Sequence, residues 1–148
     1  MFKIKNILLP TDFSKLSLSA AEYATELAEQ YGAKIHLLHV LEKTPPILTI
    51  HSLDLSEEKI IKTIEEEAKI SLGKAVDKIK GKKTVQVEPV IRKGIDYEEI
   101  IKYAEEKKVD LIIIATHGRT GILHTLLGSV AEKVIRFSKK PVLVSKCN

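Results

Sequence analysis

Residues 111 to 129, LIIIATHGRTGILHTLLGS, decide the fold. The four unbroken apolar residues from Leu111 to Ile114 are typical of a strand that is buried on both faces. Ala115 then begins a loop with glycines at positions 118, 121 and 128, and Ser129 follows as the expected start of an amphipathic helix. A buried strand that leads into a helix is half of a βαβ unit, so this stretch predicts a parallel sheet.

The rest of the chain repeats this alternation of short apolar runs and segments with a 3.6-residue period. The pattern predicts an α/β fold of five strands joined by four helices, in one domain that spans residues 1–148. The predicted strands are Ile4–Leu9, Ile35–Val40, Val85–Ile91, Leu111–Ile114 and Pro141–Val144. Apolar stripes mark the helices at Ala20 to Ala28, Ile60 to Ile79, Ile100 to Ala104 and Val130 to Ile135. Gly32 and Gly81 are the predicted stops of the first two, and Asp96 with Glu99 predicts the start of the third.

Strand three indicates the order of the sheet. It alternates polar and apolar residues and carries Pro89, which cannot donate a ladder hydrogen bond, so it belongs at an edge. An open parallel sheet in the order 3-2-1-4-5, with helices on both faces, meets this condition. The flavodoxin-like order 2-1-3-4-5 would bury the proline-bearing strand. In the favoured order the winding reverses between strands one and four, where open α/β sheets bind ligands beyond the carboxyl ends of the strands.

The amino-acid composition limits the classes of partner that the chain is expected to bind. Charged residues make up 30% of the chain, the net charge is +4, and there are no Trp and three Phe residues. Because no basic run is interleaved with aromatic residues, we expect no nucleic-acid partner. The longest apolar runs are about five residues, far short of the ~20 that a membrane helix needs, and the MFKIKN start has no apolar core. We therefore expect a cytoplasmic protein with no membrane partner.

The glycine-containing loop predicts a polyphosphate site. The segment Ser129 to Glu132 fits an S-x-x-E capping box, so the last helix is expected to begin at Ser129. A helix start offers unpaired N–H groups and about half a positive charge, and Gly128 allows close backbone approach. Gly118 and Gly121 can adopt positive φ, with Arg119 in reach as a counter-charge. The alternative is a plain strand-to-helix connection, although the loop exceeds the usual two to six residues.

The first strand leads into Pro10, Thr11 and Asp12 rather than into a G-x-G-x-x-G turn, and the chain contains no G-x-x-x-x-G-K-[ST] motif. Asp12 lies at the expected reversal point, where a carboxylate can accept hydrogen bonds from ribose hydroxyls or help to hold Mg²⁺. Asp12 and Ser14 are equally common helix caps. The interpretation of Asp12 as a ligand-binding residue and its interpretation as a cap both stand at this point.

Neither a zinc site nor an active site can be assembled from the remaining polar residues. His36 and His39 are an odd number of positions apart in a strand, so they should point to opposite faces. His117 and His124 have no Cys or paired carboxylate at ligand spacing. His117 can instead contact a phosphate, a partner subunit or solvent. Because no nucleophile, base and orienting group can be named, we expect little or no catalysis, at most slow hydrolysis of a bound polyphosphate that relies on Mg²⁺ and positioning.

These loops resemble the universal stress protein family, in particular its ATP-binding branch. The signature of that branch is Gly, two residues, Gly, nine residues, Gly, then Ser or Thr. The segment from Ala115 to Ser129 matches at every position except the first, where Ala115 replaces glycine. The PTDFS stretch from residue 10 and the PVLVSK stretch from residue 141 are also similar to the family, and the likeness covers the whole chain.

The resemblance implies a doubly wound domain of the adenine nucleotide alpha hydrolase-like type, which binds ATP between strands one and four. It also implies a homodimer paired through the last strand, residues 141–145, whose short apolar edge invites a second copy. By position, Pro10, Thr11 and Asp12 would contact adenine and ribose, and the backbone of Val40 would bond adenine. The residues expected to face the phosphates are Gly118, Gly128, Ser129, Val130 and Ala131. The departure at Ala115 adds a methyl where the backbone would meet ribose or phosphate, and alanine enters positive φ only at a cost, whereas with negative φ the change is mild.

Three hypotheses of function follow. The first is an ATP-binding regulatory protein of the stress response, in which nucleotide, with Mg²⁺, acts as a switch on the loop from 115 to 129. The second is a slow Mg²⁺-dependent ATP hydrolase that uses the same pocket. The third is a dimeric scaffold that binds no nucleotide.

Overall fold

The computed structural model describes residues 1–43, 56–117 and 127–146. Within these ranges the chain forms a five-stranded sheet and five helices. The strands are β1 (Asn6–Pro10), β2 (Lys34–Leu41), β3 (Gln86–Lys93), β4 (Leu111–Ala115) and β5 (Val142–Ser145). The helices are α1 (Lys15–Leu18), α2 (Ala21–Tyr31), α3 (Glu57–Lys80), α4 (Asp96–Glu106) and α5 (Ser129–Phe137).

The sheet is entirely parallel and has the order β3-β2-β1-β4-β5, which confirms the predicted topology. Ile7 of the central strand β1 lies opposite Ile35 on β2 and Leu111 on β4. Pro89 lies on the edge strand β3, opposite Leu37, where its missing N–H does not break the sheet. The direction of winding reverses between β1 and β4, as the sequence predicts.

Two apolar cores cover the two faces of the sheet. Ile7 and Leu9 of β1 point to the face covered by α2 and α3, whereas Leu8 points to the face covered by α4 and α5. All three side chains are 0% exposed. This alternation lets one central strand supply both cores, because successive residues of a strand point to opposite sides.

The histidines of β2 follow the same alternation. His36 faces α4, where its Nδ1 lies 2.7 Å from the Tyr103 hydroxyl and its Nε2 lies 3.0 Å from Oδ1 of Asn6. His39 lies on the opposite face, where its ring stacks on Phe13 with ring centroids 4.2 Å apart. The prediction that these two side chains point to opposite faces is confirmed.

One predicted helix start needs correction. The first helical segment begins earlier than the apolar stripe at Ala20, because the four-residue α1 precedes α2. Its N-cap is Ser14, whose hydroxyl accepts the Ser17 N–H at 3.0 Å. Asp96 is the first residue of α4, as predicted, and Ile95 is its N-cap. Gly32 ends α2 with φ of 65°, as predicted for a helix stop.

In the described residues, no helix is both long and apolar enough to cross a membrane.

Candidate functional site

A cleft of about 680 Å³ lies at the carboxyl edge of the sheet, at the point where the winding reverses. The ends of β1 and β4 form its centre. This volume falls within the roughly 300–1,000 Å³ that is typical of small-molecule sites. The predicted site residues that line it are Pro10, Thr11, Asp12, Val40, Ala115, His117, Gly128, Ser129, Val130 and Ala131.

The loop after β1 is held by a dense set of hydrogen bonds. The Thr11 N–H donates to the Leu38 carbonyl at 2.9 Å, which extends the β1–β2 pairing by one residue. The Thr11 hydroxyl accepts the Phe13 N–H at 3.0 Å and lies 3.1 Å from the Ser17 hydroxyl. Thr11 is itself buried. The loop therefore has a defined shape on the floor of the cleft.

Asp12 projects from this loop into the lining of the cleft. Its Oδ1 accepts the Ser14 N–H at 3.0 Å, and its own N–H donates to the Ser17 hydroxyl at 3.3 Å. Ser14, not Asp12, is the N-cap of α1. The interpretation of Asp12 as the helix cap is therefore wrong, because the cap position lies two residues later. The Ser14 N–H orients the carboxylate instead.

The start of α5 faces the same cleft. Gly128 is the N-cap, with φ of −71° and ψ of 160°, and its carbonyl accepts the Glu132 N–H at 2.9 Å. Ser129 is the first helical residue, as predicted, but it does not cap the helix, so the S-x-x-E capping box is wrong. The first-turn N–H groups, at positions 129 to 131, have no acceptor within the helix, and they carry the positive end of its dipole.

The chain also contacts itself closely where α5 begins. The Gly128 N–H donates to the Thr116 carbonyl at 2.5 Å. A Cβ placed on residue 128 would lie only 2.7 Å from the same Thr116 oxygen. The absence of a side chain at Gly128 thus allows the first turn of α5 to sit directly beside the end of β4.

Ala115, the departure from the family signature, is the last residue of β4 and is 6% exposed. The non-glycine residues with positive φ in the described ranges are Phe13 and Lys108. Ala115 thus keeps negative φ, and its methyl packs into the core on the side of α2 and α3. A methyl at position 115 is a mild change when φ is negative, and φ is negative there in the structure.

His117, two residues after Ala115, also lines the cleft, and its Nδ1 lies 3.1 Å from the Thr116 hydroxyl. Gly118, Arg119 and Gly121 lie outside the described residues, so their predicted contacts with phosphate remain predictions.

The sequence did not identify several residues that line the cleft. From the first loop, α1 and β2 these are Phe13, Ser17, Leu38, His39 and Leu41, with Glu42 just beyond the strand. Helix α3 contributes Ile64, Glu67, Ala68 and Ser71, and α4 contributes Asp96 and Ile100. Leu38 and Val40 share strand parity, so the prediction of Val40 was a signal for Leu38. The helical residues gave no local signal, because their role depends on where two distant helices dock.

The acidic side chains that line the cleft are candidate ligands for a metal ion. Four carboxylates line the cleft, those of Asp12, Glu42, Glu67 and Asp96. Across residues 1–43, 56–117 and 127–146, no group of three or more His, Cys, Asp or Glu side chains is arranged to hold a metal ion. Mg²⁺ commonly takes only one or two carboxylates and fills its other positions with water and phosphate oxygens. A single carboxylate at Asp12 fits an ion that arrives bound to a polyphosphate.

Comparison with known proteins gives similarities that cover nearly the whole chain. A family model described as the universal stress protein family matches residues 3–146. Universal stress protein MJ0531 of Methanocaldococcus jannaschii is 37% identical over 142 residues, covering 96% of this chain and 82% of that protein. Universal stress protein MJ0577 of the same organism is 37% identical over 153 residues, covering 96% and 94% of the two chains.

Solved structures agree with these similarities. A structure of MJ0577 matches with a TM-score of 0.82 and 35% identity, over 97% of this chain and 96% of that chain. A universal stress protein in complex with cAMP matches with a TM-score of 0.70 and 25% identity, over 99% of each chain.

Proposed function

Because this chain belongs to the universal stress protein family, we propose that it is an ATP-binding regulatory protein of the stress response with little or no catalytic activity. One observation carries the proposal. The N–H groups at the start of α5, which have no acceptor within the helix, and the carboxylate of Asp12 line the same cleft, at the reversal of an open parallel sheet. An anion-binding helix start opposite a carboxylate suits a ligand that has phosphates at one end and hydroxyls at the other.

Each part of the nucleotide has a counterpart in the lining. Asp12 accepts hydrogen bonds from the ribose hydroxyls, because an ionised carboxylate is purely an acceptor. Adenine lies against Pro10 and Thr11 and receives backbone hydrogen bonds at Val40. The phosphates meet the amides from Gly128 to Ala131, and Ala115 and His117 flank them. In this proposal Gly118, Arg119 and Gly121 complete the phosphate site.

The similar protein that was solved with cAMP supports an adenine nucleotide as the class of ligand. Mg²⁺ enters the proposal with the triphosphate, where it would neutralise charge on the phosphate oxygens. Of the four carboxylates that line the cleft, we propose Asp12 as the one that contacts the ion, as the alternative to its hydrogen bonds with the ribose. Because ATP is the proposed ligand, the proposed compartment is the cytoplasm.

The switch itself is proposed to be the segment from 115 to 129. It joins a buried strand to the helix whose amides bind the phosphates, so occupancy of the cleft alters the surface that partner proteins meet. Regulation then needs binding and release rather than turnover, which agrees with the lack of an assignable base and nucleophile in the sequence.

We also propose a homodimer paired through β5. This strand is at one edge of the sheet, and its residues Val142, Leu143 and Val144 are only half-buried in the single chain. The other edge strand, β3, carries Pro89 and is therefore poorly suited to pairing with another strand.

The test begins with protein purified without added ligand and then denatured, and the supernatant is examined for adenine nucleotide. Titration calorimetry with Mg²⁺-ATP follows on the stripped protein and on Asp12→Ala. We expect saturable binding that Asp12→Ala weakens about tenfold or more, equivalent to about 1.4 kcal/mol. Asp77→Ala, at an exposed aspartate on α3, is the matched control and should bind as the wild type does. Absence of ATP binding to the stripped wild type would contradict the proposal and favour the nucleotide-free scaffold.

A further inference from the structure

Phe13, the residue after Asp12, has a strained backbone. Its φ is 68°, in the left-handed region that bulky side chains rarely enter. Such residues persist only where surrounding contacts hold them, and they concentrate at binding sites. Phe13 itself lines the cleft. Specific contacts stabilise this conformation, and they also affect Asp12, the residue beside Phe13.

Phe13 packs against the core on the side of α2 and α3, and two further contacts fix its position in the loop. Its N–H donates to the Thr11 hydroxyl at 3.0 Å. Its ring stacks on the imidazole of His39, with centroids 4.2 Å apart and an angle of 30° between the planes. The second contact joins the loop after β1 to the neighbouring strand β2, so the position of Phe13 is set by a residue far away in sequence.

His39 also holds Thr11, the residue before Asp12. Its Nδ1 lies 2.9 Å from the Thr11 carbonyl oxygen. Because a carbonyl can only accept, Nδ1 carries the hydrogen in this contact. One imidazole therefore fixes Thr11 by a hydrogen bond and Phe13 by stacking. Asp12 lies between these two residues.

On this geometry, and resting on the ATP-binding function proposed above, we propose that His39 is a positioning residue for Asp12. By fixing the residues before and after Asp12, it aims the carboxylate at the ribose hydroxyls of the nucleotide. His39 thus sets recognition of the ribose through Asp12, and the left-handed turn at Phe13 is the means by which it does so.

The test compares ATP with 2′,3′-dideoxy-ATP, which lacks the hydroxyls that Asp12 would bind, by titration calorimetry. In the wild type we expect ATP to bind about tenfold more tightly than the dideoxy nucleotide. His39→Ala should weaken ATP by about tenfold and leave the dideoxy nucleotide nearly unchanged, so the ratio of the two affinities falls towards one. In an Asp12→Ala background, His39→Ala should cause no further loss, since the two residues act as one unit.

Conservative variants separate the two contacts. His39→Gln keeps a donor for the Thr11 carbonyl but loses the ring, and His39→Phe keeps a ring but loses the donor. Each should retain part of the ATP preference.

Phe13→Gly and Phe13→Ala both lose the stack, yet only glycine adopts positive φ freely, so Phe13→Gly should retain more of the preference. His36→Gln, on the same strand but the opposite face, is the control and should leave the ratio unchanged.

Equal weakening of both nucleotides by His39→Ala would overturn the proposal, because a contact with base or phosphate, or a general structural role, would then explain the loss. An ATP affinity of His39→Ala equal to that of the wild type would overturn it too. These outcomes are distinct from failure of the proposed function, in which the wild type binds neither nucleotide and the role of His39 falls with it.

Discussion

The backbone N–H of Gly128 donates to the carbonyl of Thr116 across 2.5 Å, so the start of α5 and the end of β4 meet backbone to backbone. Gly128 has φ of −71°, a value open to any residue. The need for glycine therefore comes from space and not from backbone conformation. Because this contact lies within the chain, it restricts residue 128 whether or not a ligand is present.

The first prediction is that Gly128→Ala is harmful to both stability and binding. The new Cβ would lie 2.7 Å from the Thr116 oxygen, so the start of α5 must move away from β4. We expect a loss of about 1–3 kcal/mol in the free energy of unfolding, the usual cost of overpacking. Affinity for ATP should also fall, because the first-turn amides move with the helix. Chemical denaturation and titration calorimetry measure the two effects.

Gly73→Ala is the matched control. Gly73 lies inside α3, and nothing lies within 4 Å of a Cβ built there. This variant should stabilise the protein by about 0.5–1 kcal/mol, because alanine favours the helix interior more than glycine does. A Gly128→Ala protein as stable as the wild type would contradict the steric argument.

The topology could be predicted from the sequence because single residues had strong and local consequences. Pro89 restricts its strand to an edge, and the unbroken apolar run from Leu111 requires a strand covered on both faces. The helix caps were harder to predict from the sequence. At α5, Gly128 and Ser129 are adjacent residues that both favour N-caps. The contact between Gly128 and Thr116, which decides between them, joins two parts of the fold.

The residues that form the walls of the cleft could not be predicted from the sequence, because their position too depends on contacts between distant parts of the fold. The periodicity of α3 correctly indicated that Ala68 is buried, but it gave no sign that Ile64 and Ala68 also face the cleft. Contacts that depend on the docking of one element against another have no signature in either segment alone. The pairing of His39 with Phe13 is of this kind as well.

The second prediction concerns the proposed dimer. Ile112 donates to the Pro141 carbonyl and Thr116 donates to the Ser145 carbonyl. In a parallel ladder this register leaves the backbone groups of Val144 pointing to the open edge of β5. Val144→Pro removes an outward N–H without removing a bond to β4, so it should raise the dimer dissociation constant about tenfold or more. Sedimentation velocity over a dilution series measures this constant.

Val87→Pro is the control at the other edge. Val87 shares the strand parity of Pro89 on β3, so the substitution likewise removes an outward N–H. It should leave the dissociation constant unchanged. A wild type that is monomeric at micromolar concentration would contradict the dimer, and an unaffected dimer in Val144→Pro would contradict the β5 interface.

The third prediction is a pH dependence of stability that originates at His36. Burial lowers the pKa of His36 below its usual value, an effect that nearby Lys34 and Lys107 reinforce and the Glu88 carboxylate opposes. Burial also raises the pKa of Tyr103 to about 12, and the Tyr103 hydroxyl lies 2.7 Å from His36 Nδ1. Asn6 Oδ1 lies on the other side, next to Nε2. The folded site therefore holds the neutral imidazole.

In the unfolded chain His36 regains a pKa of about 6.5 and binds protons more readily than in the fold. Its contribution to stability is thus complete above about pH 6.5 and is lost as the pH falls through the lowered folded pKa. Denaturation with guanidinium at several pH values should show this decline. His36→Gln, which does not titrate, should show a flatter pH profile than the wild type. Parallel profiles for the two proteins would rule out His36 as the source.

The fourth prediction is that Ala115→Gly, which restores the family signature, does not improve the site. Ala115 pairs with Ser145 in the ladder, keeps negative φ and packs its methyl into the core. We expect the affinity for ATP to change less than about threefold, whereas the free energy of unfolding should fall by about 1–2 kcal/mol through lost burial and the entropy of glycine. Ala24→Gly, at a buried position in α2, should destabilise the protein with no effect on affinity. An ATP affinity at least tenfold higher in Ala115→Gly, measured by calorimetry on protein stripped of ligand, would show instead that the methyl obstructs the nucleotide.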